Sequence, residues 1–387
     1  MPTRSIDGMR GLVVFVCLVV FVDTVFYAAI TPILPELSDE YDLSKTAAGV
    51  LAAAYPAGTF VGALPGGWLA ARAGTRPTVL LGLGLLVVSS LAFAFADSIV
   101  VLDVARFVQG IGGAASWAGA LGWLIGAAPR ERRGELIGTA LAAAIVGALF
   151  GPVLGAAAVA LGQAPVFAFV AGMGAAMMAW ALRLRAAQPE GDSRLRTLLA
   201  SLADRRVGAG MWLTALPGLL FGTLAVLGPL RMDELGAGAT AIAAAWLIGA
   251  ALEAIINPLV GRLSDRRGRL IPSIAGVVGG ALVMLALPWP SSAWVLGGLV
   301  IVAAPLIGTL WTPAMAMLSD GAEAFGVAQG FAFALVNLAW ATGQTAGAAG
   351  SAWLADAAGD QVPYFVLAGI CLLTLAMLVR RRARVAV

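Results

Sequence analysis

Gly67-Trp68-Leu69-Ala70-Ala71-Arg72-Ala73-Gly74-Thr75-Arg76 has a counterpart in Gly261-Arg262-Leu263-Ser264-Asp265-Arg266-Arg267-Gly268-Arg269. Two glycines, a leucine and an arginine recur in them at a constant offset, so one short polar loop is written twice in 387 residues. Each loop sits between long apolar runs. Residues 46–71 and 77–96 flank the first without a charge; 235–261, interrupted only by Glu253, and 270–319 flank the second. A helix crossing the hydrocarbon of a bilayer takes about 20 mostly apolar residues, so these loops join membrane spans.

Working outward, the remaining runs are 11–35 (carrying Asp23), 107–129, 136–182, 207–230, 324–355 and 361–379. Runs 136–182 and 270–319 are each long enough for two spans, with turns at Gly162-Gln163-Ala164-Pro165 and Pro288-Trp289-Pro290-Ser291-Ser292. The total is twelve. Composition agrees: 60% of residues are hydrophobic, 12% are charged and the mean hydropathy is +0.94, against roughly 45–50% and 25% in soluble domains. Such a chain cannot cover a water-facing surface, and it is too apolar to be disordered. The 49 glycines follow no fixed period, which excludes a collagen-like chain.

The longest internal polar stretch, 183–206, divides the chain into halves 1–182 and 207–387 of six spans each. A second echo supports the repeat: Glu131, Gly134 and Gly138 against Glu323, Gly326 and Gly330. With an even number of spans per half the copies are parallel, related by an axis along the membrane normal. The expected fold is an all-α membrane protein of twelve transmembrane helices in two pseudo-symmetric six-helix bundles.

All but three of the 24 basic residues fall on one side of this topology. By the positive-inside rule that side is the cytoplasm, and both termini lie there. The exceptions are Lys45 and Arg231 in the outer loops and Arg106 within a span. Acids dominate outside: Glu36, Asp39, Glu40 and Asp42 in the first loop, Asp356 and Asp360 in the last. The pI of 9.2 follows from this topology, leaving a nucleic-acid partner nothing to explain. The first apolar run holds Asp23 and continues into Pro32 and Pro35, so no cleavable signal peptide is expected. Cys17 and Cys371 fall inside spans and form no disulfide framework. Histidine is absent, so proton chemistry falls to carboxylates. A nucleophile–histidine pair is impossible and no phosphate-binding loop appears.

The two loops resemble the G-x-L-x-D-R-x-G-R motif of the major facilitator superfamily, with Ala71 in place of the aspartate in the first half and Asp265 in the second. Leu102 to Gly112, with Arg106-Phe107-Val108-Gln109-Gly110, resembles the superfamily's helix-four motif. Gly138, Gly147 and Gly151-Pro152-Val153-Leu154-Gly155 resemble the helix-five motif of its drug:proton antiporter branch, with Ala156 for the last glycine. Asp23-Thr24-Val25-Phe26-Tyr27 to Pro35 resembles helix one of multidrug and vesicular amine antiporters. Helix eleven departs from the vesicular amine pattern, with Asn337 in place of an acid.

Asp23 lies about 12 residues into span one, roughly 18 Å at 1.5 Å per residue, near the midplane. An acid there costs on the order of 2.5–3.5 kcal/mol and faces a cavity or a partner. Its functional reading is one desolvated carboxylate for which a proton and a cationic substrate compete; the plain reading is a hydrogen bond between helices. Tyr27, four residues on, shares its face. Glu253 argues likewise in span eight, with Asn257 one turn later. Arg106 has two readings, a part in proton coupling implied by the resemblance and an anchor bonded to a helix-one carbonyl. Trp117, Trp311, Asn337, Trp340 and Gln344 are candidate cavity residues, the last three at i, i+3 and i+7 on one helical face; aromatics in spans also serve as packing or interfacial belts. Gly147, Gly151, Pro152 and Gly155 permit close packing and a bend, and the resemblance adds a hinge role. Gly67, Arg72, Gly74, Asp265, Arg266 and Gly268 are expected at an inner gate, with Asp265 set against Arg132 or Arg133, or else as solvated loop charges.

The expected activity is proton-coupled antiport, exporting small lipophilic or cationic compounds by alternating access. Alternatives are a facilitator or proton symporter for a metabolite, and a non-transporting receptor or scaffold on the same fold. The expected protein is not an enzyme and uses no metal or cofactor beyond a proton gradient. Its partners would be a small-molecule substrate, protons and the bilayer. It would act as a monomer in a bacterial cytoplasmic membrane.

Overall fold

The computed structural model describes residues 6–129, 132–184, 200–325 and 329–385, and among these every regular element is helical. Ten helices are long and apolar enough to cross a membrane, and Leu270–Ala286 is a shorter apolar one. Residues 185–199 of the predicted linker lie outside the described residues.

Span one is α1 (Ile6–Ala28) and α2 (Ile30–Glu40), parted at Ala29. Pro32 has no N–H to offer the carbonyl of Ala28, which loosens the helix at that point. Then follow α3 (Lys45–Ala73), α4 (Thr75–Ala94), α5 (Ile99–Ala127), α6 (Arg133–Leu161) and α7 (Gln163–Arg183). The second half holds α8 (Arg205–Glu234), α9 (Ala239–Arg267) and α10 (Leu270–Ala286). Span ten is split into α11 (Ala293–Gly308) and α12 (Trp311–Ala324), a break the apolar run 270–319 did not reveal. Span eleven is α13 (Gln329–Thr345), a π-turn (Ala346–Gly350) and α14 (Ser351–Ala358); α15 (Val362–Val385) is span twelve.

The repeat seen in the two loops extends through the turns. The described residues with positive φ are Asp42, Gly74, Gly162, Gly236, Gly268 and Gly359. They form three pairs at equivalent inter-span turns: Asp42 with Gly236, Gly74 with Gly268, Gly162 with Gly359. Gly74 and Gly268 also share a conformation, φ 99° and ψ 160° against φ 82° and ψ 157°. A β-carbon is disfavoured there, which is why the motif keeps glycine at both places.

Packing divides the chain into two compact units, 1–30 with 54–200 and 327–338, and 31–53 with 201–326 and 339–387. Inside the first, α1 packs on α6, and α4 packs on α5 and α7. Inside the second, α8 packs on the π-turn and α12, α9 on α11, and α10 on α15. Pairing spans one with five and three with six is thus repeated as seven with eleven and nine with twelve. Glycines set the closest approaches. A β-carbon on Gly110 would fall 1.9 Å from the Tyr55 carbonyl oxygen, and one on Gly343 2.0 Å from that of Ala215. Small residues let backbones meet where lipid supplies no hydrophobic drive between helices.

Candidate functional site

Asp23 is 2% exposed, five residues before the end of α1. Its Oδ2 accepts from the Tyr55 hydroxyl of α3 at 2.7 Å and from Trp117 Nε1 of α5 at 2.9 Å. Its Oδ1 is buried with no partner among the described residues. Gly113 of α5 makes room for this group. A β-carbon there would lie 2.7 Å from the Tyr55 oxygen and 2.8 Å from Asp23 Oδ1. Three helices therefore meet at one carboxylate. The packing that seats α1 also has an identifiable source: a β-carbon on Gly147 would be 2.6 Å from the Phe21 carbonyl, and one on Gly151 2.3 Å from Ala28 Cβ. The helix-five glycines thus support the helix that carries Asp23. Pro152 lies within α6, and Pro152 and Gly155 are buried.

Arg106, 1% exposed, donates to the carbonyls of Phe26 (3.2 Å) and Tyr27 (3.1 Å) and to Gln109 Oε1 (2.8 Å). Its guanidinium lies 5.2 Å from the Tyr55 ring centre and 5.9 Å from that of Phe26. The anchor reading of Arg106 is the geometry observed. The carbonyls it binds end α1, where the helix dipole favours a cation, just before the loosened residue Ala29. Tyr27 stacks obliquely on Tyr55, centroids 4.9 Å apart. Arg106 thus fixes the end of α1 while its charge stands over the Tyr55 ring.

In the second unit Glu253 of α9 is half-buried and lies over Gly308 of α11. A β-carbon on Gly308 would be 2.5 Å from both Cδ and Oε1. Its side-chain partner is Asn257, one turn on, whose Oδ1 has no further partner among the described residues. Each intramembrane acid is accordingly seated over a glycine of a neighbouring helix. Trp311 stacks on Phe221, centroids 6.3 Å apart and planes within 9°. Gln344, 4% exposed, lies beside the π-turn, and its Oε1 has no partner among the described residues. Asn337 and Trp340 are half-buried on α13.

Of the loop residues, Arg72 lies 5.3 Å from the Trp68 ring. Gly67 and Arg72 fall in the last turns of α3, and Gly74 begins α4. Asp265 and Arg266 fall in the last turn of α9, which Gly268 ends. The side chains of Asp265 and Arg133 lie outside the described residues, and Arg132 pairs with Glu135 at 2.8 Å. Arg269 pairs with Asp320 of α12.

The structure sets Trp117 and Tyr55 against Asp23 and Arg106 against the carbonyl of Tyr27, with Gly113 and Gln109 beside them. Tyr55 is one of four tyrosines in the chain, and its position inside an uncharged run was the available signal. Gly113 carried none in so glycine-rich a sequence.

A family model described as Major Facilitator Superfamily matches residues 16–333. Among curated relatives, the MFS-type transporter ppzB of Metarhizium rileyi is 36% identical over 35% of this chain and 29% of its own. The synaptic vesicular amine transporter of Homo sapiens is 26% identical over 59% of this chain and 45% of its own. The methylenomycin A resistance protein of Streptomyces coelicolor is 30% identical over 50% and 40%. The matched stretch is less than half the length of each of these relatives. Among solved structures, a bacterial homolog of the human lysosomal transporter Spinster superposes with a TM-score of 0.80 at 13% identity, over 97% of both chains.

Proposed function

This chain belongs to the Major Facilitator Superfamily, and from that premise we propose that it is a proton-coupled antiporter that exports small lipophilic or cationic compounds by alternating access. The fold supplies transport; the coupling is argued from the site. The observation that carries it is Asp23: a buried carboxylate with one oxygen held by two donors and the other without a partner among the described residues. The cation nearest to it, Arg106, gives its described hydrogen bonds to two carbonyls and Gln109. An uncompensated charge in that position is costly. The carboxyl group is neutral when it holds a proton, and when it releases the proton a cation bound at the free oxygen compensates it. One group that takes either a proton or a cation, and not both, couples the two fluxes. Glu253, bonded to Asn257 and lying over Gly308, is a second intramembrane acid set against a glycine in the other half. The likeness to a vesicular amine transporter and to a methylenomycin A resistance protein supports the substrate class. The arginine distribution supports cytoplasmic termini.

Proteoliposomes with an imposed pH gradient test this. Ethidium and a panel of lipophilic amines, first screened by thermal shift at two pH values, serve as probes. Accumulation driven by the gradient and lost in Asp23→Asn/Glu253→Gln supports antiport. Flux indifferent to the gradient points to a facilitator, and no flux of any bound probe to a receptor.

A further inference from the structure

A cleft at the ends of spans seven, nine and twelve lies wholly within the second unit and shares no lining residue with the site above. It holds about 380 Å³, its open mouth included, and its lining joins Lys45, Arg231 and Asp360 to the apolar Leu227, Leu287 and Pro288. Lys45 Nζ binds both oxygens of Asp360 at 2.7 Å and Glu234 at 3.3 Å, and Arg231 Nη1 pairs with Glu234 at 2.8 Å. Two bases and two acids thus stand side by side with no net charge. Lys45 is held in place by its own helix: Asp356 Oδ2 accepts from the Thr46 backbone N–H at 2.7 Å and the Thr46 hydroxyl at 2.6 Å, capping the first turn of α3. Arg231 is exposed and gives one hydrogen bond to the described residues, although a guanidinium fork carries five donors. Beside the cleft, Trp289 and Phe365 each follow a lining residue in sequence. Both are exposed, their ring centres 6.3 Å apart, and Trp294 beyond the same turn is exposed as well. Indoles placed at span ends belong at the level of the lipid headgroups.

We propose that this cleft binds the headgroup of one phospholipid, from the leaflet on the acid-rich side, and that the headgroup is a zwitterion with a primary ammonium. The phosphate meets the unused donors of the Arg231 fork, whose geometry suits phosphate oxygens. The ammonium meets Asp360 and Glu234. The acyl chains run along α10 and α15, which pack on each other, over the exposed Leu285 and Val366 next to the Trp289 and Phe365 rings. Charge selects among headgroups. An anionic lipid sets an uncompensated negative charge beside two carboxylates, and a choline group has no N–H to give them. The apolar rings select a lipid over its free headgroup. The site does not depend on the antiport reading, and its test requires no transport.

Delipidated protein in detergent is titrated with dioleoyl phosphatidylethanolamine, phosphatidylglycerol or phosphatidylcholine, and the bound lipid is counted by native mass spectrometry. The parent is expected to retain one phosphatidylethanolamine in preference to the other two. Arg231→Gln and Trp289→Ala should each weaken that binding about fivefold, the size of an exposed charge pair. Phe95→Ala, which removes an exposed ring at the same side of the first unit, should bind as the parent does. Gel filtration and the lipid-free melting temperature show that each variant is folded; Trp289, on the surface, carries the test if Arg231→Gln is not. Parental binding by Trp289→Ala overturns the site, as does an equal loss in Phe95→Ala. Equal retention of phosphatidylglycerol or phosphatidylcholine overturns the zwitterionic ammonium assignment. Displacement of the lipid by an equal concentration of O-phosphoethanolamine overturns the assignment to a lipid.

Discussion

Asp23 has two oxygens in different circumstances, and the difference is set by neighbours rather than by the residue. Tyr55 and Trp117 hold one; Gly113 leaves space at the other. Gly113→Ala should place a methyl group against both the Tyr55 hydroxyl and Oδ1 and reduce probe affinity at least about tenfold, a loss of 1.4 kcal/mol. Gly126→Ala on the same helix, where a β-carbon meets nothing within 4 Å, should leave binding as it was. Isothermal titration of the two variants separates a site effect from a helix effect. Arg106 acts at the same scale through its fork. Arg106→Lys cannot span two carbonyls and an amide oxygen with the same geometry. It is expected to destabilise the protein by about 2 kcal/mol, the size of a bond to a charged group, read as a lower melting temperature.

At the scale of elements, glycines and caps decide where helices end. Gly74→Ala and Gly268→Ala each force a β-carbon onto a positive-φ, extended-ψ backbone that only glycine adopts readily, at roughly 1–3 kcal/mol. Because the turns are equivalent, the two melting temperatures should fall by similar amounts. Asp356, one residue beyond its predicted span, caps α3. Burial pushes its carboxyl up, but the hydrogen bonds from Thr46 and Ser44 and the charge of Lys45 outweigh that and hold it below the ordinary value. A depressed carboxyl contributes stability above its unperturbed pKa and loses it as pH falls through the lowered one. The melting-temperature difference between parent and Asp356→Asn should therefore be constant from pH 6 to 8 and shrink only below about pH 4. These elements also show what was legible. The Gly74 and Gly268 loops, the spans and their charge pattern were readable because each is local in sequence. The Asp356 cap was not, since its partner lies 310 residues away and an acidic loop residue has no pattern of its own. The span-ten break at Thr309-Leu310 was hidden because it falls inside the uncharged run 270–319.

At the scale of the whole molecule, one six-span plan is used twice, and each copy seats an acid over a glycine of a neighbouring helix. Asp23, Glu253 and Arg106 were found as charges in lipid, a signal that needs no alignment. Tyr55 and Gly308 were not, because polar or small residues in a span are ordinary until a structure shows what they touch. The repeat makes the two carboxylates comparable, and the proposed coupling falls to both. Proton movement is the most direct test. Parent protein and an Asp23→Asn variant are solubilised in weakly buffered detergent, and proton release is followed with a pH dye as a cationic probe that binds both is added. The account predicts release from the parent and a clear reduction in the variant; equal release from both, or binding to the parent without release, would contradict it.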